Sequence, residues 1–245
     1  SILDEHGHEH VFCFGGGGGT ILLDEVKHLR DQGIAHIYTP DDGREMGLVG
    51  MVQDAMDRAR EIDLMDESRF RFDGPVSADE HSAVGRLLTL AENGDEGTLS
   101  AALEKVRSRD VGDECPVVGL FGSGGCGKSS LLDELMLRIQ RDNPGAKVAL
   151  LATDPTRDKT GGALLGDRIR MNSLTNPNLF MRSFASRSSG SEIADCVESA
   201  IGVCKAVGFD LVLVETSGTA QRDSAVAEVS DISMYVTAPM VYGAP

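Results

Sequence analysis

The chain has 245 residues, a hydrophobic content of 41% and a formal net charge of −16. That length suits one large or two small domains, and their cores must be aliphatic, because aromatics make up only 4% and Trp is absent. The acidic balance argues against electrostatic binding to nucleic acid or to an anionic membrane surface, and no apolar run is long enough to span a bilayer. Five cysteines, Cys13, Cys115, Cys126, Cys196 and Cys204, form no C-x-x-C pair, which points to a reducing, cytoplasmic compartment. The chain starts without Met or a signal peptide at Ser1-Ile2-Leu3 and stops at Ala244-Pro245, which reads as a fragment cut at both ends.

His6, His8 and His10 form an alternate-residue run that suits a solvated loop or a weak transition-metal site. Val11 to Phe14 reads as a short buried strand, followed by the glycine run Gly15 to Gly19. Each glycine costs backbone entropy, so such a run after a strand suggests bulky matter lying against bare backbone; a flexible linker is the plainer alternative. A helical pattern runs through Leu22, Leu23, Val26 and Leu29, a second strand spans Ile34 to Tyr38, and Met46 to Ala59 reads as a helix burying Met46, Val49, Val52, Ala55, Met56 and Ala59. Strand and helix alternating at this spacing predict a parallel sheet, half of a doubly wound domain.

Phe14 to Ile21, Ile37-Tyr38-Thr39-Pro40-Asp41-Asp42-Gly43-Arg44, Met46-Gly47-Leu48 and Gly50-Met51 together resemble the end of the cobalamin-binding domain of the fused isobutyryl-CoA mutases. These are relatives of methylmalonyl-CoA mutase with a G-protein chaperone inserted in the same chain. The resemblance implies that Gly15, Gly16, Gly17 and Gly18 line the pocket for the cofactor's nucleotide tail, with Tyr38, Thr39 and Pro40 nearby. It also implies that the D-x-H-x-x-G motif, whose His ligates cobalt, lies upstream of Ser1.

The charged stretch from Asp57 to Asp113 holds helical patterns over Ala83–Ala91, with Val84, Leu87, Leu88 and Ala91 inward, and over Leu99–Val106. Asp63, Asp66, Glu67, Asp79 and Glu80 read as a solvated surface. The segment is expected to be a helical linker.

Pro116 to Ser130 carries the strongest signal. An apolar run, Val117 to Phe121, feeds Gly122-Ser123-Gly124-Gly125-Cys126-Gly127-Lys128-Ser129-Ser130 and then a helix with Leu131, Leu132, Leu135, Met136 and Ile139 on one face. This is G-x-x-x-x-G-K-[ST] between a strand and a helix, the context a phosphate-binding loop requires. Loop amides and the helix N-terminus attract phosphate, Lys128 reaches the β- and γ-phosphates, and the Ser129 hydroxyl ligates Mg²⁺. Val148 to Ala152 is a buried strand ending at Thr153-Asp154-Pro155, which makes Asp154 a candidate for Mg²⁺ or its water shell, with a turn or cap role as the alternative. Asp167 is a second candidate carboxylate; Arg168 and Arg170 suit either phosphate charge or a surface ion pair. Leu179 to Arg182 is a strand and Glu192 to Val207 an amphipathic helix. Leu211 to Val214 is an apolar strand ending at Glu215-Thr216-Ser217-Gly218, where Glu215 suits water-mediated Mg²⁺ and the Gly218 amide the γ-phosphate. Gln221 is close enough in sequence to position a water, and Met234 to Thr237 is the next strand.

Gly122 to Ser130, Asp154-Pro155-Thr156, Lys159 to Met171, Met181-Arg182-Ser183 and Glu215 to Gly218 resemble the G domain of the same fused mutases and of their stand-alone chaperone relatives. The expected organisation is therefore α/β throughout: residues 1–60 as the C-terminal part of a cobalamin-binding domain, 61–113 as the linker, and 114–245 as the N-terminal part of a P-loop GTPase domain. The guanine-reading N-K-x-D motif should follow the last strand, so GTP rests on the resemblance alone. The resemblance implies a multifunctional enzyme in which GTP hydrolysis gates loading or repair of adenosylcobalamin. It further implies an isobutyryl-CoA/n-butyryl-CoA mutase that is homodimeric when intact and handles acyl-CoA in a barrel domain outside this chain. A stand-alone P-loop GTPase metallochaperone without isomerase activity is the alternative, and a cobalamin-binding module whose P-loop only senses nucleotide is a third reading.

Overall fold

The computed structural model describes residues 11–16, 21–63, 65–107, 115–155, 171–186, 190–216 and 226–237, and for residues 154–155, 185–186 and 190–195 the backbone alone. The chain divides into two compact units, Ser1–Asp66 and Glu67–Pro245.

In the first unit, strand β1 (Phe14–Gly16) and strand β2 (His36–Tyr38) pair in parallel, with Phe14 opposite His36 and Gly16 opposite Tyr38. Helix α1 (Leu23–Asp31) joins them, as a parallel connection requires. Helix α2 (Pro40–Arg60) follows β2 directly. Thr39 caps it: its hydroxyl accepts from the Asp42 amide, while the Asp42 carboxylate accepts from the Thr39 amide at 2.7 Å. Pro40 sits at the first helical position, where its missing N–H costs nothing. Gly47 interrupts the helix at φ 66°, ψ 175°, a region that only glycine visits readily.

Two sequence expectations differ here. The first strand lies over Phe14–Gly16, leaving Val11 and Phe12 exposed. The expected buried face of α2 is open: Met46, Val49, Val52 and Met56 are exposed, Val49 by 84%. The buried hydrophobic side chains among the described residues of this unit are Val26 and Ile37. A two-stranded sheet has too little area to cover an amphipathic helix of this length.

The second unit begins with helices α3 (His81–Asn93) and α4 (Glu96–Val106), in the segment expected to be a linker. They are part of this unit's core, with Val84, Leu87, Leu88 and Val106 fully buried. The Asp95 carboxylate caps α4 through the Thr98 amide at 2.9 Å. Strands β3 (Val117–Phe121), β4 (Val148–Pro155), β5 (Leu179–Ser186), β6 (Leu211–Glu215) and β7 (Ile232–Tyr235) form a parallel sheet in the order β5-β4-β6-β3-β7. Helix α5 (Lys128–Asp142) leads from β3, and helix α6 (Gly190–Val207) precedes β6.

Leu132 and Met136 of α5 pack into a cluster with Leu120, Val148, Leu150, Leu179, Met181 and Leu213. The residues between them on β4, Ala149 and Leu151, point to the opposite face and are fully buried. Helix α6 packs on β4, and α3 packs on α6 and β5. Every strand of this sheet is parallel to its neighbours, so their carboxyl ends share one edge, and the connection from β3 runs to β4 on one side while that from β6 passes β3 to reach β7 on the other. Open α/β sheets bind ligands outside such a reversal point.

Candidate functional site

Strand β3 lies between β6 and β7 and delivers the chain to that edge at Gly122. Gly122 has φ 140°, and a Cβ there would lie 2.1 Å from the Val236 carbonyl oxygen, so no other residue fits. The turn closes at Gly127, whose left-handed φ of 96° caps α5. Helix N-termini leave their first amides without intrahelical partners, so the N–H groups of Lys128, Ser129 and Ser130 are set to meet an anion. Lys128 is only 7% exposed, and its Nζ donates to the Gly122 and Ser123 carbonyls at 2.7 and 3.2 Å. The ammonium therefore lies over the loop itself, on neutral acceptors that phosphate oxygens would outcompete by charge.

Adjacent strands bring the second half of the site into place. In the β3–β6 register Leu120 stands opposite Glu215. Ser129, in the first turn of α5, consequently meets the last residue of β6, and its Oγ donates to Glu215 Oε1 at 2.7 Å. Glu215 is 9% exposed and held by its backbone: Thr153 Oγ1 donates to its carbonyl at 3.1 Å, and the next amide, that of Thr216, donates to the Leu120 carbonyl at 3.1 Å. A hydroxyl and a carboxylate in contact at the phosphate end of a cavity are the hard oxygen donors Mg²⁺ takes. Among the described residues no group of three or more His, Cys, Asp and Glu gathers to hold a metal. Two protein oxygens with the remainder from phosphate and water is how Mg²⁺ usually sits beside a nucleotide, so the donor set fits that ion.

A cavity of about 590 Å³ opens here, lined by Gly125, Gly127, Lys128, Ser129, Ser130, Asp133, Met171, Asn172 and Glu215. The side formed by Met171 and Asn172 is tied to α5. Asp133 accepts from the Ser173 amide at 2.8 Å, and from the Asn172 amide and side chain at 3.1 and 3.4 Å. Burial works to raise the Asp133 pKa, but the hydrogen bonds from Ser173 and Asn172 outweigh it and hold the carboxyl below its usual value.

In the first unit, Gly15 and Gly16 of β1 and Tyr38, the last residue of β2, lie at the carboxyl ends of the strand pair, and Thr39 and Pro40 follow Tyr38 directly. A Cβ on Gly15 would lie 2.7 Å from Ile37 Cδ1, whereas one on Gly16 would meet nothing within 4 Å. A side chain at Gly15 would thus have to displace the end of the buried Ile37 side chain, and Gly16 presents bare backbone at the strand end. Tyr38 donates to Asp54 at 2.9 Å.

The family model for MeaB, methylmalonyl Co-A mutase-associated GTPase, matches residues 84–242, well over half of the chain. The chain belongs to the MeaB family. Beyond the MeaB region it is similar to larger proteins. A fused isobutyryl-CoA mutase from Cupriavidus metallidurans is 47% identical over 97% of this chain and 22% of that protein. One from Geobacillus kaustophilus is 45% identical over 100% of this chain and 23% of that protein. The methylmalonic aciduria type A homolog of Caenorhabditis elegans, a mitochondrial protein, is 36% identical over 50% of this chain and 31% of its own length. The chain therefore spans less than a quarter of the length of these two fused mutases. Among the described residues no helix is long and apolar enough to cross a membrane.

Within this MeaB-family site the structure brings together Gly125, Gly127, Lys128, Ser129, Ser130 and Glu215, while Gly122, Ser123, Gly124 and Cys126 form the rest of the loop. The backbone of Asp154 lies near the end of β4, opposite Ala185, and its side chain is outside what is described. Asp167, Arg168, Gly218, Gln221, Gly17 and Gly18 fall outside the described residues, as do the three N-terminal histidines. Asp133 was not anticipated. Its position on the α5 face that carries Ser129, one turn on, was the available signal.

Proposed function

We propose that this chain is the nucleotide-hydrolysing part of an adenosylcobalamin-dependent acyl-CoA carbon-skeleton mutase, in which GTP hydrolysis gates loading or repair of the cofactor. The observation that carries the nucleotide reading is the 2.7 Å contact of Ser129 with Glu215 beside a P-loop whose Lys128 already lies over the loop. Lys128 and the loop amides take the β- and γ-phosphates, and Ser129 and Glu215 hold Mg²⁺ directly or through water. Asp154 and Asp167 are further candidates for the metal or its waters, Arg168 for charge on the transferring phosphoryl group, the Gly218 amide for the γ-phosphate, and Gln221 for the attacking water. Guanine as the base is supported by the family's GTPase name.

The cobalamin reading is supported by similarity to the fused mutases along nearly the whole chain and by the bare strand end at Gly16 beside Tyr38. When bound, adenosylcobalamin supplies radical chemistry through cleavage of its cobalt–carbon bond. The residues of this chain would contribute a cradle for the nucleotide tail: Gly15 to Gly18, Tyr38, Thr39 and Pro40. Rearrangement of isobutyryl-CoA and n-butyryl-CoA, a homodimeric assembly and a cytoplasmic location are parts of the same reading.

Turnover of GTP with Mg²⁺ tests it. Lys128→Ala is expected to lower the rate by about 100-fold or more, since it removes a charge aimed at the transferring group. An unchanged rate would remove the P-loop from the reaction. Wild-type turnover that does not respond to adenosylcobalamin would favour a stand-alone GTPase chaperone.

A further inference from the structure

We propose that Asp133 is a positioning residue for nucleotide turnover: from the P-loop helix it grips the backbone of Asn172 and Ser173 and so holds the Met171–Asn172 wall against the phosphate and metal side of the cavity. The inference rests on the nucleotide reading of the P-loop.

Four observations lead to it. Asp133 lies one turn beyond Ser129 on α5, so the helix that presents phosphate-binding amides and a metal-binding hydroxyl also presents this carboxylate, on the same face. Both of its oxygens are used: Oδ1 accepts from the Ser173 amide at 2.8 Å, and Oδ2 from the Asn172 amide and Nδ2 at 3.1 and 3.4 Å. The same turn has other anchors. Asn176 Nδ2 donates to Gln140 Oε1 at 3.1 Å, while at the cavity end the Met171 side chain is buried in the α5 cluster. The turn can therefore stay folded without Asp133, while the Asn172 and Ser173 backbone beside the cavity is held by Asp133. Finally, an acid lining a cavity built for an anion is unfavourable by charge. Three N–H donors offset that charge, and no uncharged side chain of this size accepts on two oxygens at once. Asn in its place would turn an NH₂ toward one of the two backbone amides.

The step that suffers is the one sensitive to sub-ångström placement. Diphosphate binding relies on the loop amides and Lys128, whereas hydrolysis also needs the metal and γ-phosphate side held in register. In the protein as it occurs, Asp133→Ala and Asp133→Asn would be compared with wild type by single-turnover GTP hydrolysis in Mg²⁺, by binding of a fluorescent GDP, and by thermal unfolding. The expected result is hydrolysis slowed by about 10- to 100-fold with GDP affinity within about threefold. The midpoint of the P-loop unit's own transition in Asp133→Asn should drop by no more than about 5 °C. Wild-type hydrolysis rates in either folded variant would overturn the proposal and leave the nucleotide reading standing. Equal losses in GDP binding and hydrolysis, or failure of both variants to fold, would overturn it too, by assigning Asp133 to the fold. Wild-type protein that binds neither GDP nor GTP would instead overturn the underlying nucleotide reading.

Discussion

Gly122 carries more of the site than its absent side chain suggests. Any Cβ meets the Val236 carbonyl oxygen, a backbone atom on the neighbouring chain segment that cannot rotate away. Gly122→Ala is therefore expected to abolish fluorescent-GDP binding, while a conservative change at the cavity rim such as Ser130→Ala leaves it measurable; retained binding in Gly122→Ala would contradict the loop geometry. At Asp133 the pH dependence has a definite sign. The folded carboxyl titrates below its usual 3.8, so its contribution is complete above that value and disappears as pH falls through the folded one. The small stability deficit of Asp133→Asn at pH 7 should accordingly shrink as pH is lowered toward 3, as read by thermal unfolding. The phosphate loop was legible in the sequence because its residues are contiguous. Asp133 was not, because the amides it grips lie 39 and 40 residues further on. Glu215 was legible through its own local pattern, an apolar strand ending in an acid, although its 2.7 Å contact with Ser129 spans 86 residues.

Among elements, α3 and α2 make an instructive pair. Both carry apolar residues at helical spacing, and periodicity read both as helices, although the α2 pattern is weaker and Gly47 interrupts it. Leu87 and Leu88 of α3 are fully buried, whereas Val49 and Val52 of α2 are exposed. A stripe states which face of a helix is apolar and not what covers it. The cover for α3 is supplied by α6, more than a hundred residues later, together with an ion pair from β5, Arg182 to Glu92 at 2.8 Å. Leu87→Ala should cost the second unit about 2–5 kcal/mol in urea unfolding, through lost transfer energy and a cavity. Val49→Ser should change the stability of the first unit by less than about 0.5 kcal/mol. A large loss for Val49→Ser in this chain would show that the α2 stripe is buried in solution. The segment expected to be a linker thus contributes buried core to the P-loop unit, which its charged composition concealed.

At the scale of the whole molecule, two compact units with separate sheets predict unfolding in more than one step, so that a single Tm is not defined for the chain. Calorimetry with and without Mg²⁺–GDP checks this. Nucleotide at about 100 times its Kd should stabilise the P-loop unit by about 2.7 kcal/mol and raise its transition. A transition that nucleotide leaves unmoved would contradict the site. The second unit carries the P-loop of a GTPase family, and the first ends β1 in bare glycine backbone. The most direct measurement concerns the metal. GTP turnover would be titrated with Mg²⁺ in wild type, Ser129→Ala and Glu215→Gln. Wild type is expected to require Mg²⁺, and each variant to turn over at least about tenfold more slowly and to need more Mg²⁺ for half-maximal rate, because Ser129→Ala loses its hydroxyl oxygen and Glu215→Gln the carboxylate charge of the pair that meets at 2.7 Å. Variants with the wild-type rate and the wild-type Mg²⁺ dependence would contradict a metal site at Ser129 and Glu215.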